Sequence, residues 1–441
     1  MEVLNNIALP QSTEHFHLLL FIYNIVMAVL LPYAALMTGS ILLAVYADRR
    51  AAGEGSLRLL ARRLINAVLP SRTFFTFFAV LPALAIVFVY AQVLQSTPAL
   101  AAGCALLAVV FFIAAGVAAF AYQYTFRLTE VLGTTRPAGD ATAELQAGAR
   151  STHEKSGTVA AWTIVLASFF FSAGTAIGVR PSAWTGLDSL PALLIAPDVW
   201  LTWLVFLTLA AAMTGVGVLF FHHRSPAGPG VASDYESDVR ALALKILTSA
   251  ILAMPVFLAA GLLRLEDLAV SGWVYGLAAG AVLALFGALQ AMYAYVQLDR
   301  PATTAYAFAL VIAGTTCIAS MYQVALHNAT RDHAVALAVV YDRNEEALKT
   351  ALGVGAKPLT GEDIYNGKCS ACHLFDQKKV GPAYKSVLTK YTGRKADLVR
   401  FILNPVKVDP AFPNMPSQGL RPAEADSIAA FLLKKVGVKG S

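Results

Sequence analysis

Three residues near the C-terminal end of the chain have the types and the spacing to hold an iron cofactor. Cys369, Cys372 and His373 form the pattern C-x-x-C-H within the stretch NGKCSACHLFDQKKVGP. Two thiols at this spacing can form thioethers with the vinyl groups of a haem, and the adjacent imidazole can then ligate the iron. The same short pattern also occurs in thiol redox sites and in zinc sites, so the surrounding sequence has to decide between these chemistries.

The surrounding sequence favours a haem. Met415 lies between two prolines on the polar stretch NPVKVDPAFPNMPSQGL, where a thioether has no apolar face to join and can serve as the sixth iron ligand. Thr360 is a candidate N-cap just before the motif, and RPAEADSIAAFLLKK predicts a closing amphipathic helix. The pattern therefore predicts a small helical domain in which His373 and Met415 are the iron ligands.

From about residue 359 to the end, the chain resembles the class I cytochromes c. The resemblance includes Gly381 and Pro382 after the motif, and it implies that the carbonyl group of Pro382 orients His373. It also implies one covalently held haem c. A histidine and methionine pair gives a comparatively high reduction potential, which suits electron transfer rather than oxygen binding.

Two further residues and the surface charge leave alternatives open. Tyr391 and Asn404 can hydrogen-bond to the haem propionates or to the ligand loop, or they simply pack. From residue 359 onward there are 13 Lys and Arg against 7 Asp and Glu. This excess suits either a docking face for an acidic partner or an ordinary solvated surface.

The rest of the chain has the composition of an integral membrane protein. It is 57% hydrophobic and only 14% charged, with a mean hydropathy of +0.62. A membrane span needs about 20 mostly apolar residues. The runs that meet this criterion are 17–46, 74–94, 99–124, 158–179, 199–221, 243–263, 271–296 and 303–326. The predicted fold is all-α, an eight-helix transmembrane bundle followed by the small helical domain.

Loop charges predict the orientation of the bundle. The loop after the first span carries the arginines at positions 49, 50, 58, 62, 63 and 72, whereas the loops of the opposite side offer only Arg180 and Arg264. By the positive-inside rule the arginine-rich side is cytoplasmic, so both termini face the periplasm of a bacterial inner membrane.

The predicted domains follow from the spans and the motif. They are a membrane domain over 1–327, a helical linker over 328–358 and a periplasmic cytochrome c domain over 359–441.

Histidines are the residues that would hold a haem within a helix bundle. His15 and His17 lie at the outer end of the first span and His327 just beyond the eighth, so one of the first two can pair with His327 around a haem b, or all three are interfacial polar residues. His153 is expected in a cytoplasmic loop.

The stretch EHFHLLLFIYNIVMAVLLPYAALMTGSILLAVYADRR loosely resembles the first helix of the large subunit of the cytochrome bd quinol oxidases. That resemblance implies a haem b ligand at His17, with His15 as its competitor.

The main hypothesis is electron transfer between the membrane, through the quinol pool or a bundle haem, and periplasmic electron carriers, as part of a respiratory complex. A quinol:cytochrome c oxidoreductase would need a base near the outer surface. Candidate bases are Glu14, Asp188, Asp198, Glu266 and Asp267.

Two rival functions remain. One is a cytochrome bd-like terminal oxidase with a fused haem c, which the lack of carboxylates within the predicted spans disfavours. The other is a docking subunit whose bundle holds no haem. The expected partners are quinol, other membrane redox subunits, periplasmic carriers and membrane lipid, and no sequence signature indicates nucleic acid.

Overall fold

The computed structural model describes residues 11–51, 55–134, 140–187, 189–224, 233–298, 300–352 and 359–438. Within these ranges all regular elements are helical and no strand occurs, which confirms the all-α prediction. The described residues divide into two compact units. The bundle unit is Leu19–Thr330, and the C-terminal unit comprises the described parts of Leu9–Leu18 and Arg331–Ser441.

In the part of the chain that the structure describes, eight helices are long and apolar enough to cross a membrane, so the chain is a multi-pass membrane protein. They are α1 (Thr13–Arg50), α3 (Arg72–Val93), α4 (Ala101–Thr134), α5 (Asp140–Gly178), α8 (Pro197–Arg224), α9 (Ser233–Leu263), α10 (Gly272–Leu298) and α11 (Thr303–Ala329). Between them lie the amphipathic helix α2 (Gly55–Val68) and two short helices, α6 (Pro181–Gly186) and α7 (Leu190–Ile195).

Several helices extend well beyond the apolar runs that predicted them. Helix α5 starts at Asp140, although its apolar run starts only at about residue 158. The intervening residues include good helix formers such as alanine, glutamate and glutamine, so the backbone hydrogen bonds continue past the hydrophobic segment. The expectation that His153 lies in a loop was therefore wrong, because it lies within α5 and is buried.

Small residues let the long helices approach closely. The most extensive pairings are α4 with α5, α8 with α9, and α10 with α11, and α8 also packs on α5 and α11. At Gly215 of α8, an added Cβ would lie 2.9 Å from the Ala243 carbonyl oxygen and from the Leu247 Cβ of α9. Helix association in lipid depends on such close backbone contact, because lipid tails are as apolar as the helices themselves.

A buried polar cluster joins α1, α4 and α5. Asp48 Oδ2 accepts hydrogen bonds from the Tyr122 hydroxyl at 3.0 Å and from His153 Nε2 at 2.9 Å. His153 Nδ1 lies 2.8 Å from Thr125 Oγ1, and the Tyr122 ring stacks on the imidazole with centroids 4.5 Å apart. Each polar group in this cluster has a partner, which offsets the cost of burying it in an apolar bundle.

The C-terminal unit is built around its last helix. Its helices are α12 (Arg331–Ala351), α13 (Gly361–Ile364), α14 (Tyr384–Val387), α15 (Lys395–Leu403) and α16 (Pro422–Val436). Helices α12, α13 and α15 all pack on α16, whose Ile428, Ala429, Leu432 and Leu433 are buried. Gly361 allows the closest crossing, because a Cβ there would lie 2.5 Å from Phe431 Cβ.

Helix α12 agrees with the helix predicted for the linker region. Residues 353–358, the end of that predicted linker, lie outside the described residues. The predicted domain boundaries stay predictions.

Candidate functional site

The C-x-x-C-H segment follows directly from a capped helix. Thr360 Oγ1 accepts the Asp363 N–H at 3.2 Å, and Asp363 Oδ2 accepts the Thr360 N–H at 3.0 Å, so the predicted cap is a complete capping box. The chain then makes one wider turn, and the N–H groups of Cys372 and His373 donate to the Cys369 carbonyl at 3.1 and 2.9 Å. This compact turn places both thiols and the imidazole beside one cavity.

The imidazole of His373 is held in one orientation. Its Nδ1 lies 3.0 Å from the Pro382 carbonyl oxygen. A carbonyl oxygen only accepts hydrogen bonds, so Nδ1 carries a proton, and in the neutral imidazole the free lone pair is then on Nε2. Nε2 is therefore the atom of this ring that can ligate a metal, and its orienting contact is of the kind that metal-binding histidines use.

Gly381 is required next to this ring. A Cβ added at Gly381 would lie 2.2 Å from His373 Cε1 and 2.7 Å from both ring nitrogens. The backbone is held there because the N–H groups of Val380 and Gly381 donate to the Cys372 carbonyl at 3.1 and 2.9 Å. Any side chain at this position would push the imidazole out of place.

Tyr384 supports the same ring from another direction and was not predicted from the sequence. Its ring stacks on His373 with centroids 4.9 Å apart and planes 17° apart. Its hydroxyl hydrogen-bonds with Cys369, and burial raises its pKa well above the ordinary value, so it stays neutral. The only signal in the sequence was an aromatic residue two positions after Pro382, which is too common to be specific.

The cavity suits a largely apolar group that carries some negative charge. Its volume is about 300 Å³, and Cys369, Cys372, His373, Pro382, Tyr391 and Met415 are among the residues that line it. Most of the remaining lining is apolar, but Lys368, Lys390 and Lys407 also border it, against one carboxylate, Asp409. A haem, with its apolar macrocycle and two propionates, fits this lining.

Only one of the two further residues that were considered as haem contacts lies at the cavity. Tyr391 lines the cavity, whereas Asn404 is not among its lining residues. The Asn404 backbone carbonyl instead accepts a hydrogen bond from Arg331 Nη2 at 2.9 Å, within the same unit. Asn404 thus helps to hold α12 beside the end of α15.

Comparison with known proteins agrees with this geometry. A family model described as cytochrome c oxidase, cbb3-type, subunit III matches residues 356–432. Cytochrome c-551 of Pseudomonas denitrificans is 38% identical over 80 residues, which are 17% of this chain and 95% of the relative. The C-terminal region is a class I cytochrome c. Through this cytochrome c domain the chain belongs to the cytochrome c family.

Two more relatives cover the same domain. Cytochrome c-552 of Hydrogenobacter thermophilus is 37% identical over 92 residues, which are 20% of this chain and 92% of the relative. Cytochrome c-551 of Pseudomonas aeruginosa is 34% identical over 93 residues, which are 20% of this chain and 89% of the relative. Membership of this family implies haem c and electron transfer with redox partners.

The histidines predicted to hold a haem b lie in both units. His15 and His17 belong to the C-terminal unit, where the His15 ring makes an edge contact with Tyr341 at 6.1 Å, and His327 belongs to the bundle unit. Among the described residues, no group of three or more His, Cys, Asp and Glu side chains could hold a metal ion. The haem b stays a prediction.

Two of the candidate bases are already engaged within the bundle unit. Asp198 Oδ1 accepts a hydrogen bond from Arg264 Nε at 2.6 Å and lies 3.7 Å from Nη2 of the buried Arg180. Glu266 Oε1 accepts the N–H and the hydroxyl of Ser182, at 3.1 and 2.5 Å. Both carboxylates therefore tie connecting segments together. Glu14 and Asp267 are exposed, and Asp188 lies outside the described residues.

Proposed function

We propose that the protein transfers electrons between the quinol pool of a bacterial inner membrane and periplasmic electron carriers, as part of a respiratory complex. The observation that best supports this is the cavity that Cys369, Cys372, His373 and Met415 line together, in a chain with eight helices able to span a membrane. One helix would suffice to tether a cytochrome, so the bundle has a further role, and a quinol site is the role that suits the redox chemistry.

In this proposal Cys369 and Cys372 would form the thioethers with the haem, and His373 Nε2 and the Met415 sulfur would ligate the iron. The Pro382 carbonyl fixes the imidazole, as its 3.0 Å contact with Nδ1 indicates. The bound haem c supplies a one-electron redox centre whose histidine and methionine ligands favour a high potential. Oxidation of one quinol to quinone releases two protons and two electrons, so each quinol would need two successive one-electron transfers to the protein.

The proposal includes a domain division and an orientation. The membrane domain is 1–327, the helical linker is 328–358, and the cytochrome c domain, 359–441, lies in the periplasm. The lysines that border the cavity favour an acidic electron-transfer partner, since complementary charge speeds the encounter of two proteins.

The test is anaerobic reduction of the purified full-length protein by a short-chain quinol, followed by the absorbance of haem c. We expect wild type to be reduced without other subunits. A Met415→His variant is expected to keep its covalent haem, to have a potential lower by on the order of 0.1 V, and to be less reduced at the same quinol-to-quinone ratio. Protein that dithionite reduces and quinol does not would exclude the quinol route.

Counting covalent and extractable haem on the same sample tests the role of the bundle. We expect one covalent haem c per chain. Extractable haem b that is lost in a His327→Ala variant would support the predicted ligand set of His327 with His15 or His17. Haem c as the only haem would make the bundle a quinol-binding platform without its own redox centre.

A further inference from the structure

A second cavity lies in the bundle unit, at the end of the bundle where the amphipathic helix α2 is found. Its volume is about 310 Å³, and its walls come from α1, α2, α8 and α9. Ser40 is near the C-terminal end of α1, Phe221 is near the C-terminal end of α8, and Tyr235 is near the start of α9. The cavity is therefore at the end of these helices that carries the arginine-rich loop.

Each polar side chain that lines this cavity can donate a hydrogen bond. Ser40, Arg63, Asn66 and Tyr235 are its polar residues, the other lining residues are apolar, and none is acidic. Asn66 Oδ1 already accepts a hydrogen bond from Gln123 Nε2 at 2.8 Å. The N–H groups of the Asn66 amide can therefore donate to a group bound in the cavity. The Arg63 guanidinium carbon lies 5.7 Å from the centroid of the Tyr235 ring, which holds it beside the same space.

The hydroxyl of Ser40 indicates that the cavity binds a group that accepts hydrogen bonds. Its Oγ is fully buried and has no hydrogen-bond partner among the residues that the structure describes. An unsatisfied hydroxyl within an apolar bundle is unfavourable, so such a group indicates a bound species that accepts its hydrogen bond. A guanidinium on the same cavity indicates that this species is an anion.

Helix α2 has the character of a membrane-surface helix. Leu60, Leu64 and Val68 recur every four residues on one face and are buried, while the same helix carries three arginines at positions 58, 62 and 63. Such helices lie in the headgroup region, and basic cavities between transmembrane helices on this side of a bilayer bind anionic headgroups.

We propose that this cavity binds the phosphate of an anionic phospholipid, a site separate from the haem and from the proposed electron transfer. The Arg63 fork and the hydroxyls of Ser40 and Tyr235 hold the phosphate oxygens, and the apolar walls from α8 and α9 take the first part of the acyl chains. A quinone headgroup fits less well, because it is uncharged and its two carbonyl oxygens point in opposite directions. The lipid thereby ties α2 to α1, α8 and α9.

The test measures the lipid retained by the full-length holoprotein after extensive washing in mild detergent. Bound phospholipid is extracted and counted by mass spectrometry, and thermal unfolding is followed on adding phosphatidylglycerol, phosphatidylcholine or inorganic phosphate. We expect wild type to retain phosphatidylglycerol and to be stabilised by it alone among the three. Arg63→Gln is expected to weaken the binding of phosphatidylglycerol by roughly tenfold or more, since it removes a charge-assisted contact.

Arg62→Gln is the matched control, because it removes the same charge from the same helix at a residue that does not line the cavity. Ser40→Ala keeps the proposal testable if Arg63→Gln fails to fold. It removes the unsatisfied hydroxyl, so we expect the lipid-free protein to be at least as stable as wild type and lipid retention to fall severalfold.

Equal lipid retention in Arg63→Gln and Arg62→Gln would overturn the proposal. Stabilisation by phosphatidylcholine equal to that by phosphatidylglycerol would also overturn it, because phosphatidylcholine has no net negative charge. Equal stabilisation by inorganic phosphate would overturn it too, because inorganic phosphate has no acyl chains. Displacement of the bound lipid by a short-chain quinone would identify the cavity as a quinone site instead.

Discussion

The clearance between Gly381 and the ring of His373 leaves no room for a methyl group. Gly381→Ala would place a Cβ 2.2 Å from Cε1, so either the imidazole turns or the loop moves, and the hydrogen bond to Pro382 is strained in both cases. Overpacking of this kind costs about 2 kcal/mol. In a domain of this size that lowers the melting temperature by about 10 °C, which the haem absorbance of the full-length protein would report.

Gly367→Ala is the control for this prediction. Gly367 precedes the first cysteine by two residues, and a Cβ there would meet nothing within 4 Å. We therefore expect this variant to melt like wild type. If the two alanine variants had the same melting temperature, the contact at Gly381 would have no bearing on how the imidazole is held.

Among individual residues, the sequence predicted side chains that line the cavity together and missed one that supports them. Cys369, Cys372 and His373 were identifiable because few other patterns place these residue types so close together, and Met415 stood out as a thioether on a polar loop. Tyr384 was not identifiable from the sequence, because its stacking on His373 depends on how α14 packs. An isolated tyrosine occurs in many other structural roles. Supporting contacts of this kind arise from tertiary packing, which a short pattern does not encode.

Among the elements, α12 joins the cytochrome c domain through a buried carboxylate. Asp342 is 4% exposed and accepts the Ala423 N–H in the first turn of α16, with Arg421 nearby. Burial raises the pKa of Asp342 above its ordinary value, and this outweighs the opposing effects of that hydrogen bond and of Arg421. The ionised side chain is thus less favourable in the folded protein than in water.

A raised pKa has a definite consequence for pH dependence. The stability that protonated Asp342 contributes is fully present below the pKa of the unfolded chain, about 4, and is lost as the pH rises through the higher pKa of the folded protein. Asp342→Asn keeps an acceptor for the Ala423 N–H and carries no charge. We expect it to stabilise the cytochrome c domain at pH 7 by about 1 kcal/mol and to have little effect near pH 4.

The measurement is urea unfolding of the full-length protein, followed by haem absorbance at the two pH values. Glu362→Gln is the control, because Glu362 is an exposed carboxylate on α13. It should leave the stability unchanged at both pH values. Destabilisation of Asp342→Asn at pH 7 would mean that the ionised carboxylate supports α16 more than its burial opposes it.

The long elements were predictable in number but not in length. Hydropathy identified the eight spanning helices found among the described residues, because a run of about twenty apolar residues is rarely found outside membrane spans. Helix ends follow backbone hydrogen bonding and capping, which continue into polar sequence, so α5 began well before its apolar run. The cluster of Asp48, Tyr122 and His153 depends on which helix faces meet, and no periodicity within a single helix contains that information.

Across the molecule, the described residues contain an even number of spanning helices, so the segment before the first of them and the segment after the eighth lie on the same side of the membrane. The cytochrome c domain follows the eighth span, so the side on which the haem lies is decided by the orientation of the bundle. The positive-inside rule assigns the arginine-rich loops to the cytoplasm. The segment between α9 and α10 should then be periplasmic, and the segment between α10 and α11 should be cytoplasmic.

Thiol labelling at the two ends of α10 tests this orientation. Leu268, which is 62% exposed, and Arg300 flank this helix in the chain and can each be changed to cysteine. The background should be low, since Cys104 is buried, Cys317 is half-buried and the other two cysteines belong to the haem motif.

In intact spheroplasts we expect a membrane-impermeant maleimide to label Leu268→Cys, and Arg300→Cys only after lysis. Wild type is the control for labelling of the native cysteines. The reverse pattern would place the cytochrome c domain in the cytoplasm. A periplasmic electron carrier would then be impossible as its direct partner, whatever the ligands of the iron.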